Sequence, residues 1–277
     1  MTTSTSSAAR PYRGSASMAT LALLSEKGGA GKSLAAEGLL AVGAARGLRA
    51  LAVDLDGRAT LTRTLTNVPL LPRSTPSIGD VLDPAEEDVP KFDEVVLEIR
   101  DRQWNVDLVP ARRTLSTVAR SMDRDGSDRL RDLLDEARPH YDLVVIDTAG
   151  EVSGPTVFTA LRAATDALVL CPPESGGEEG AAGSVSAVRR MQEERRELNL
   201  VGVALTHWQG TITNVMAQVE ANFAALADDL LVNVRVPSSL SVAFEARREG
   251  VPITAALPRS RRLVDAYEQL LDLILRR

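Results

Sequence analysis

The sequence predicts a doubly wound α/β fold with a mostly parallel sheet, and three observations support this prediction. Short apolar segments alternate with helix-length segments along the chain. Most of the apolar segments are nearly continuous runs of aliphatic residues, as expected for strands that are covered on both faces. Alternating strands and helices imply a parallel sheet whose strands are joined by right-handed crossover connections. With 277 residues, the chain is long enough to bury most of its apolar surface in one core.

The strands and helices follow from the spacing of the apolar residues. Seven strands are predicted, at Ala19–Ser25, Arg49–Asp54, Asn105–Val109, Tyr141–Asp147, Asp166–Cys171, Leu198–Thr206 and Leu230–Val236. Helices are predicted at Lys32–Arg46, Ser77–Leu82, Asp128–Ala137, Gly180–Leu198, Thr213–Leu226 and Arg261–Leu275. The prolyl and acidic segment Pro69–Asp101 is interpreted as an insertion at the edge of the sheet rather than as a domain.

The first 17 residues contain no acidic residue and no periodic pattern, so we predict a disordered arm at 1–17 and one domain at 18–277. Their serine and arginine content also fits an organelle transit peptide, although a solvated tail is the simpler interpretation. Met18 begins a clean strand and is therefore a candidate for the physiological start. The single cysteine, Cys171, excludes an internal disulfide and is expected to be a buried strand residue.

The net charge of −6 by itself speaks against a nucleic-acid binder. The charge is uneven, however, because residues 247–277 carry seven arginines against four acidic residues. Since local patches decide contact with DNA, this segment is a candidate DNA-binding surface. No apolar run approaches the roughly 20 residues that a membrane span needs.

The segment SEKGGAGKSLA, Ser25–Ala35, joins the first strand to the first helix. Its glycines let the backbone approach an anion closely, with successive N–H groups and the helix N-terminus facing the phosphates. In a loop of this kind, Lys32 contacts the β- and γ-phosphates and the Ser33 hydroxyl holds Mg²⁺. The segment therefore predicts a phosphate-binding loop.

Carboxylates follow two further strands. Asp54 and Asp56 lie at the end of the second strand, and Asp147 ends the strand Tyr141–Asp147. In open α/β sheets, ligands bind at the carboxyl ends of the strands. An apolar strand that ends in aspartate, following a phosphate loop, is typical of the acid on the Mg²⁺ side of nucleotidases.

These elements together resemble the ParA/MinD family of nucleotidases, which have a deviant Walker A loop. The family pattern K-G-G-x-G-K-[ST] is matched by Lys27–Ser33. Arg49–Thr62 resembles the second family motif, with Asp56-Gly57-Arg58 where Asp-Pro-Gln is usual. Leu230–Arg262 resembles the ParA tail. Two other departures are Leu34, in place of a second threonine, and Thr148-Ala149-Gly150, in place of Thr-Pro-Pro.

The resemblance implies an ATPase that uses ATP and Mg²⁺. Lys27 is expected to reach across an ATP-sandwiched homodimer to the phosphates of the partner, in the manner of an arginine finger. Asp56 is expected to orient the attacking water, so Lys27, Lys32 and Asp56 are the implied catalytic residues. The implied nucleotide-binding residues are Lys27, Gly28, Gly29, Ala30, Gly31, Lys32, Ser33, Leu34 and Pro237. Ser33 and, through water, Asp147 are implied to hold Mg²⁺.

The same resemblance implies a partition function in the cytoplasm, in association with the nucleoid. The ATP dimer would bind DNA nonspecifically, and a ParB-like partner would stimulate hydrolysis. Candidate DNA contacts are Arg247, Arg248, Arg259, Arg261 and Arg262. Two alternatives remain at this point: a MinD-like membrane switch, with the last helix as an amphipathic anchor, and an ATP-dependent metabolic enzyme of the same fold. A core position is the favoured interpretation of that helix, and a membrane partner is not expected.

Overall fold

The computed structural model describes residues 18–276, except 123, 175, 210–213, 227–229, 239 and 257. The predicted arm at 1–17 lies outside the described residues. The described residues form eight strands in one sheet. These are β1 (Ala19–Leu24), β2 (Ala50–Leu55), β3 (Leu97–Ile99), β4 (Val106–Val109), β5 (Leu143–Thr148), β6 (Asp166–Cys171), β7 (Asn199–Trp208) and β8 (Leu231–Pro237).

Helices connect the strands and cover both faces of the sheet. They are α1 (Lys32–Ala45), α2 (Thr60–Thr66), α3 (Ile78–Leu82), α4 (Phe92–Val95), α5 (Leu115–Ser121), α6 (Arg124–Ala137), α7 (Pro155–Ala163), α8 (Gly177–Glu194), α9 (Asn214–Leu226), α10 (Leu240–Glu249) and α11 (Arg261–Leu275). A short 3-10 helix, Ile253–Ala256, lies between α10 and α11.

The strand order is β3-β4-β2-β5-β1-β6-β7-β8, and every neighbouring pair except β3–β4 is parallel. The predicted fold class and all seven predicted strands are therefore confirmed. The missed strand is β3, which lies in the segment Pro69–Asp101 and pairs antiparallel with β4 at the edge. This segment was expected at the edge of the sheet, and it also extends the sheet by one strand.

The apolar side chains form two clusters, one on each face of the sheet. Side chains of α6, α7 and α8 belong to one cluster, and side chains of α1 and α11 belong to the other. The close contact of α1 with α11 depends on Gly38, because a Cβ there would clash with the Tyr267 ring. The absence of a side chain at residue 38 therefore determines how closely the last helix approaches the sheet.

The last helix, α11, is part of the core. Its residues Tyr267, Leu270, Leu271 and Ile274 are at most 2% exposed, and they belong to the cluster around α1. The favoured interpretation of this helix is confirmed, because its apolar stripe faces the sheet and is not available to a membrane surface. Among the helices of the described chain, none is both long and apolar enough to cross a membrane.

The functional edge of the sheet is set by its topology. β1 lies between β5 and β6, and β2 lies on the other side of β5. The chain therefore leaves β1 toward one half of the sheet and later fills the other half, which creates a crevice at the carboxyl end of β1. The ends of β1, β2 and β5 meet at this crevice.

Candidate nucleotide site

A cavity opens at the crevice beside the end of β1. It is lined by Gly28, Gly29, Ala30, Gly31, Lys32, Ser33, Leu34, Asp56, Arg58, Thr60, Gly150, His207 and Arg247. The structure thus brings the predicted phosphate loop and the predicted strand-end acid Asp56 together around one space. Leu34, which was included among the nucleotide-binding residues, also lines the cavity.

The loop between β1 and α1 has the backbone conformation that a phosphate cradle needs. Gly29 and Gly31 have φ angles of 84° and 87°, a left-handed conformation that favours glycine. Gly31 precedes the first turn of α1, so the free N–H groups of that turn face the cavity. Lys32 lies at the base, where its Nζ donates to the Ser25 carbonyl at 3.0 Å. Burial lowers the pKa of Lys32, and the carboxylates of Asp147 and Asp56 oppose this.

The end of β7 fixes the same loop from the other side. The Thr206 hydroxyl donates to the Ala30 carbonyl at 3.0 Å, and the His207 Nε2–H donates to the Gly29 carbonyl at 2.9 Å. His207 itself has a left-handed φ of 52°, which is uncommon for a residue with a side chain. Neither residue is among the site residues predicted from the sequence. The two contacts join residues that are 176 and 178 positions apart along the chain, and the sheet topology brings them together.

Asp54 supports the site from within the core. It is fully buried, and it accepts hydrogen bonds from the Thr62 N–H and hydroxyl, both at 2.8 Å, and from the Asp56 N–H at 3.1 Å. Burial raises the pKa of Asp54 to about 6, although these hydrogen bonds oppose the rise. Asp54 therefore anchors the turn that presents Asp56, and Asp56 is the carboxylate that lines the cavity.

Asp147 lies beside Asp54, its register partner in the sheet. It is fully buried, and neither of its carboxylate oxygens has a hydrogen-bond partner among the described residues. Burial and then the neighbouring Asp54 raise the pKa of Asp147 well above its usual value. The Ser33 hydroxyl and the charge of Lys32 oppose this rise, so both groups lie close to the carboxylate. A buried carboxylate that accepts no hydrogen bond of ordinary geometry and lies beside a hydroxyl fits a hard cation such as Mg²⁺, whose ligands are oxygens and retained waters. The residues present therefore suit the Mg²⁺ role expected for Ser33 and Asp147.

Lys27 points away from the cavity of its own chain. Its Nζ forms an ion pair with Glu174 at 3.2 Å, in the loop that precedes α8. The residues that line the cavity begin with Gly28 and do not include Lys27.

Pro237 lies at the end of β8, opposite Trp208 at the end of β7. It does not line the phosphate cavity. Trp208 packs against the core, and the Arg235 guanidinium lies 5.6 Å from the centre of its ring. Its role here is therefore packing.

The five arginines proposed as DNA contacts fall into two groups. Arg248, Arg259, Arg261 and Arg262 are exposed on α10, on the turn before α11 and on its first turn. An ion pair of 2.8 Å between Arg259 and Glu245 holds that turn against α10. Arg247, in contrast, turns inward, lines the nucleotide cavity and binds the buried carboxylate of Glu37 through two of its nitrogens. The geometry therefore does not place Arg247 on the surface formed by the other four.

The fold and the cavity define a phosphate-loop nucleotidase, and comparisons with known proteins identify its family. Residues 18–200 match a family model described as an AAA domain. A ParA family protein of Chlamydia pneumoniae is 31% identical over 269 residues, which cover 93% of this chain and 98% of the relative. The chromosome-partitioning ATPase Soj of Thermus thermophilus is 30% identical over 265 residues, which cover 93% and 95% of the two chains.

Among solved structures, the complex of a McdA variant from Cyanothece with ATP superposes with a TM-score of 0.79 at 18% identity, over 94% of this chain and 97% of that one. The predicted class is thus confirmed: the protein is a phosphate-loop ATPase. The chain belongs to the ParA family.

Proposed function

We propose that this chain is a partition ATPase that forms an ATP-sandwiched homodimer, binds DNA nonspecifically in that state and moves DNA or another cargo on the nucleoid. A ParB-like partner protein stimulates hydrolysis and returns the dimer to monomers. The names of the relatives support this function, since one of them is a chromosome-partitioning ATPase. The observation that carries the proposal is the direction of Lys27, which lies outside the cavity of its own subunit.

The cavity binds the triphosphate of ATP. The N–H groups of the loop and Lys32 contact the phosphates. The Ser33 hydroxyl and, through water, Asp147 would hold Mg²⁺, which would supply positive charge against the charge that develops on the phosphate oxygens. Asp56 orients the attacking water, and the anchoring of its turn by Asp54 fixes the direction of attack.

Lys27 supplies its charge in trans. In each subunit, Lys27 points toward the start of α8 and away from that subunit's own cavity. When two subunits face each other, the Lys27 of one would therefore reach the phosphates bound by the other. A cation supplied in this way accelerates phosphoryl transfer by roughly 10³–10⁵. ATP binding and dimerisation are then linked, since each nucleotide is fully contacted only when two subunits meet.

The exposed arginines of α10 and α11 form the DNA surface in this proposal, through Arg248, Arg259, Arg261 and Arg262. Such contacts to phosphates carry no sequence information, and they weaken steeply with salt because counterions are released on binding. Arg247 is not part of this surface, since its guanidinium is engaged by Glu37.

The test measures binding to random-sequence duplex DNA with ATP, with ADP and without nucleotide, across a salt series. We expect the protein to bind DNA only when ATP is present, and we expect Lys27→Ala to abolish this binding. In the double variant Arg261→Ala/Arg262→Ala, the slope of log affinity against log salt should fall by about two, roughly one for each phosphate contact. Arg189→Ala, which removes an exposed arginine on α8, is the matched control and should leave the slope unchanged.

Two outcomes contradict the proposal. DNA binding that does not depend on the nucleotide would separate the arginine surface from the ATP switch. No DNA binding in any state, with intact ATP hydrolysis, would favour an ATP-dependent metabolic enzyme of the same fold. The nucleotide site has its own control, because Lys32→Ala should abolish ATP binding whatever the DNA result.

A further inference from the structure

Arg58 stands at the tip of a tight turn at the mouth of the cavity. The turn closes with a hydrogen bond of 2.7 Å from the Ala59 N–H to the Asp56 carbonyl. Within it, the Arg58 N–H donates to the Asp56 carboxylate at 2.9 Å. Asp56 and Arg58 are therefore held by one backbone unit, and both residues line the cavity.

This turn is fixed on both sides of Arg58. A Cβ at Gly57 would clash with the Ser116 hydroxyl, so the turn packs directly on the first part of α5. Ala59 has a left-handed φ of 53°, a conformation that is strained for a residue with a Cβ. Strained backbone of this kind persists where the surroundings enforce it, which is common at functional sites. The strain here lies next to the residue that replaces the glutamine of the family pattern.

The three cations that line the cavity differ in what they bind. Arg247 is neutralised by Glu37, at distances of 2.8 and 2.9 Å. Lys32 is buried at the base of the cavity. Arg58 is exposed, and it forms no ion pair with any residue that the structure describes. Arg58 and Lys32 line the same cavity. Arg58, held by a rigid turn, and Lys32 therefore favour the binding of an anion between them.

We infer that Arg58 is a further catalytic residue, which contacts the terminal phosphate of ATP bound in its own subunit. This inference rests on the nucleotide site proposed above. In the reaction, the oxygen of a water bonds to the γ-phosphorus while the bond to the β–γ bridging oxygen breaks. The electron pair leaves on the β-phosphate of ADP, and the proton of the water passes to inorganic phosphate by way of Asp56. The guanidinium stabilises the charge on the γ-phosphoryl oxygens, with a planar donor geometry suited to phosphate.

Arg58 and Lys27 then have different roles. Arg58 acts within one subunit, whereas Lys27 acts only when a partner is present. The chain should therefore bind ATP more tightly than ADP as a monomer, through the contact that only the γ-phosphate makes.

The test compares Arg58→Gln, Arg58→Lys and Arg113→Gln. Glutamine at residue 58 restores the family pattern and removes the charge, and lysine retains the charge without the planar fork. Arg113→Gln is a matched control, because Arg113 is exposed near the same turn and does not line the cavity. Affinities for ADP and for a non-hydrolysable ATP analogue are measured at concentrations where sedimentation shows monomer, and hydrolysis is followed in single-turnover experiments with Mg²⁺.

We expect Arg58→Gln to weaken binding of the ATP analogue by about fivefold to tenfold. It should slow hydrolysis by about 10²–10³-fold, the cost of removing one preorganised donor. Its affinity for ADP should stay within about twofold, with partial recovery of both losses in Arg58→Lys. Equal losses for ADP and ATP, or hydrolysis at the unsubstituted rate, would overturn the inference. Lys32→Ala distinguishes a failure of this inference from a failure of the proposed function: if this variant still binds ATP, the proposed nucleotide site itself is wrong.

Discussion

The substitution Arg247→Met should destabilise the protein strongly, because it leaves a buried carboxylate without its partner. The Glu37 side chain is only 4% exposed, and it receives Arg247 Nη2 at 2.8 Å and Nε at 2.9 Å. Burial raises the pKa of Glu37, and the charge and hydrogen bonds of Arg247 oppose that rise. Methionine keeps most of the length of the side chain, so the change removes the charge rather than the packing.

The expected loss in the free energy of unfolding is about 3–5 kcal/mol, the cost of breaking a buried ion pair from one side. Whole domains are stable by only about 5–15 kcal/mol, so this is a large fraction. For a domain of this size, each kcal/mol shifts Tm by roughly 2–4 °C, which gives a fall of about 6–20 °C. Replacing both residues, as in Glu37→Met/Arg247→Met, should recover most of the loss, because no charge then remains buried.

The effect should also depend on pH, with a defined sign. The pKa of Glu37 is higher in the folded state than in the unfolded state, so the folded protein holds the proton more tightly. The contribution of such a group to stability is present at low pH and is lost as pH rises through the folded pKa. Without Arg247 the folded pKa rises further. The deficit of Arg247→Met should therefore be largest near neutral pH and should shrink as the solution is made more acidic.

The assay is urea unfolding without nucleotide, followed by circular dichroism at several pH values. Nucleotide is omitted because a ligand bound in the adjacent cavity would add its own stabilisation. Arg248→Met is the matched control, since Arg248 is the exposed neighbour, and it should change stability by no more than about 0.5 kcal/mol. Equal stability of the Arg247 and Arg248 variants at neutral pH would contradict this prediction and would return Arg247 to the candidate DNA contacts.

Three further predictions concern other parts of the fold. Gly38→Ala should destabilise by about 1–3 kcal/mol in thermal unfolding, because the new Cβ meets the Tyr267 ring, and a gain in stability would contradict this. Burial raises the pKa of the Cys171 thiol to about 12, so a thiol reagent should label it only after unfolding, and rapid labelling of the native protein would be inconsistent with a buried strand. Glu174→Gln should tighten the ATP-dependent dimer by up to about fivefold per subunit in sedimentation experiments. The reason is that Lys27 no longer has to break a partly exposed ion pair, worth at most about 1 kcal/mol, before it reaches the partner. A weaker dimer would show that Glu174 assists assembly.

The central strands and the phosphate loop could be predicted because their signals are local. Ala19–Leu24 and Leu143–Thr148 are continuous apolar runs that need no tertiary information. Gly29 and Gly31, before Lys32, have left-handed φ angles that favour glycine, so the residue type in the sequence already indicates this backbone conformation. A three-residue strand such as β3 has no such signal, because its pairing with β4 defines it more than its own pattern does.

The residues that sequence analysis missed are those that depend on long-range contacts. For His207, nothing in its neighbourhood along the chain indicates that β7 ends beside Gly29. Arg247 was assigned to a basic surface because arginines are frequent in that segment. Its inward direction follows from the acid at residue 37 of α1, which a count of charges along the tail does not detect. Counting charges along the sequence predicts where a basic patch lies, whereas burial determines which of its arginines are exposed and can contact DNA.

The directions of the cations explain why one subunit is insufficient under the proposed function. Lys32 and Arg58 line the cavity of their own chain, while Lys27 is held at the start of α8 by Glu174. Activity then depends on a partner without any rearrangement of the phosphate loop, because the Lys27 that contacts the phosphates must come from another copy of the chain. The strength of this dependence is set by the rate that Arg58 sustains within a single subunit. A chain with arginine at this position should therefore show a larger partner-independent rate than its own Arg58→Gln variant, and partner stimulation, expressed as a ratio, should be larger in the variant.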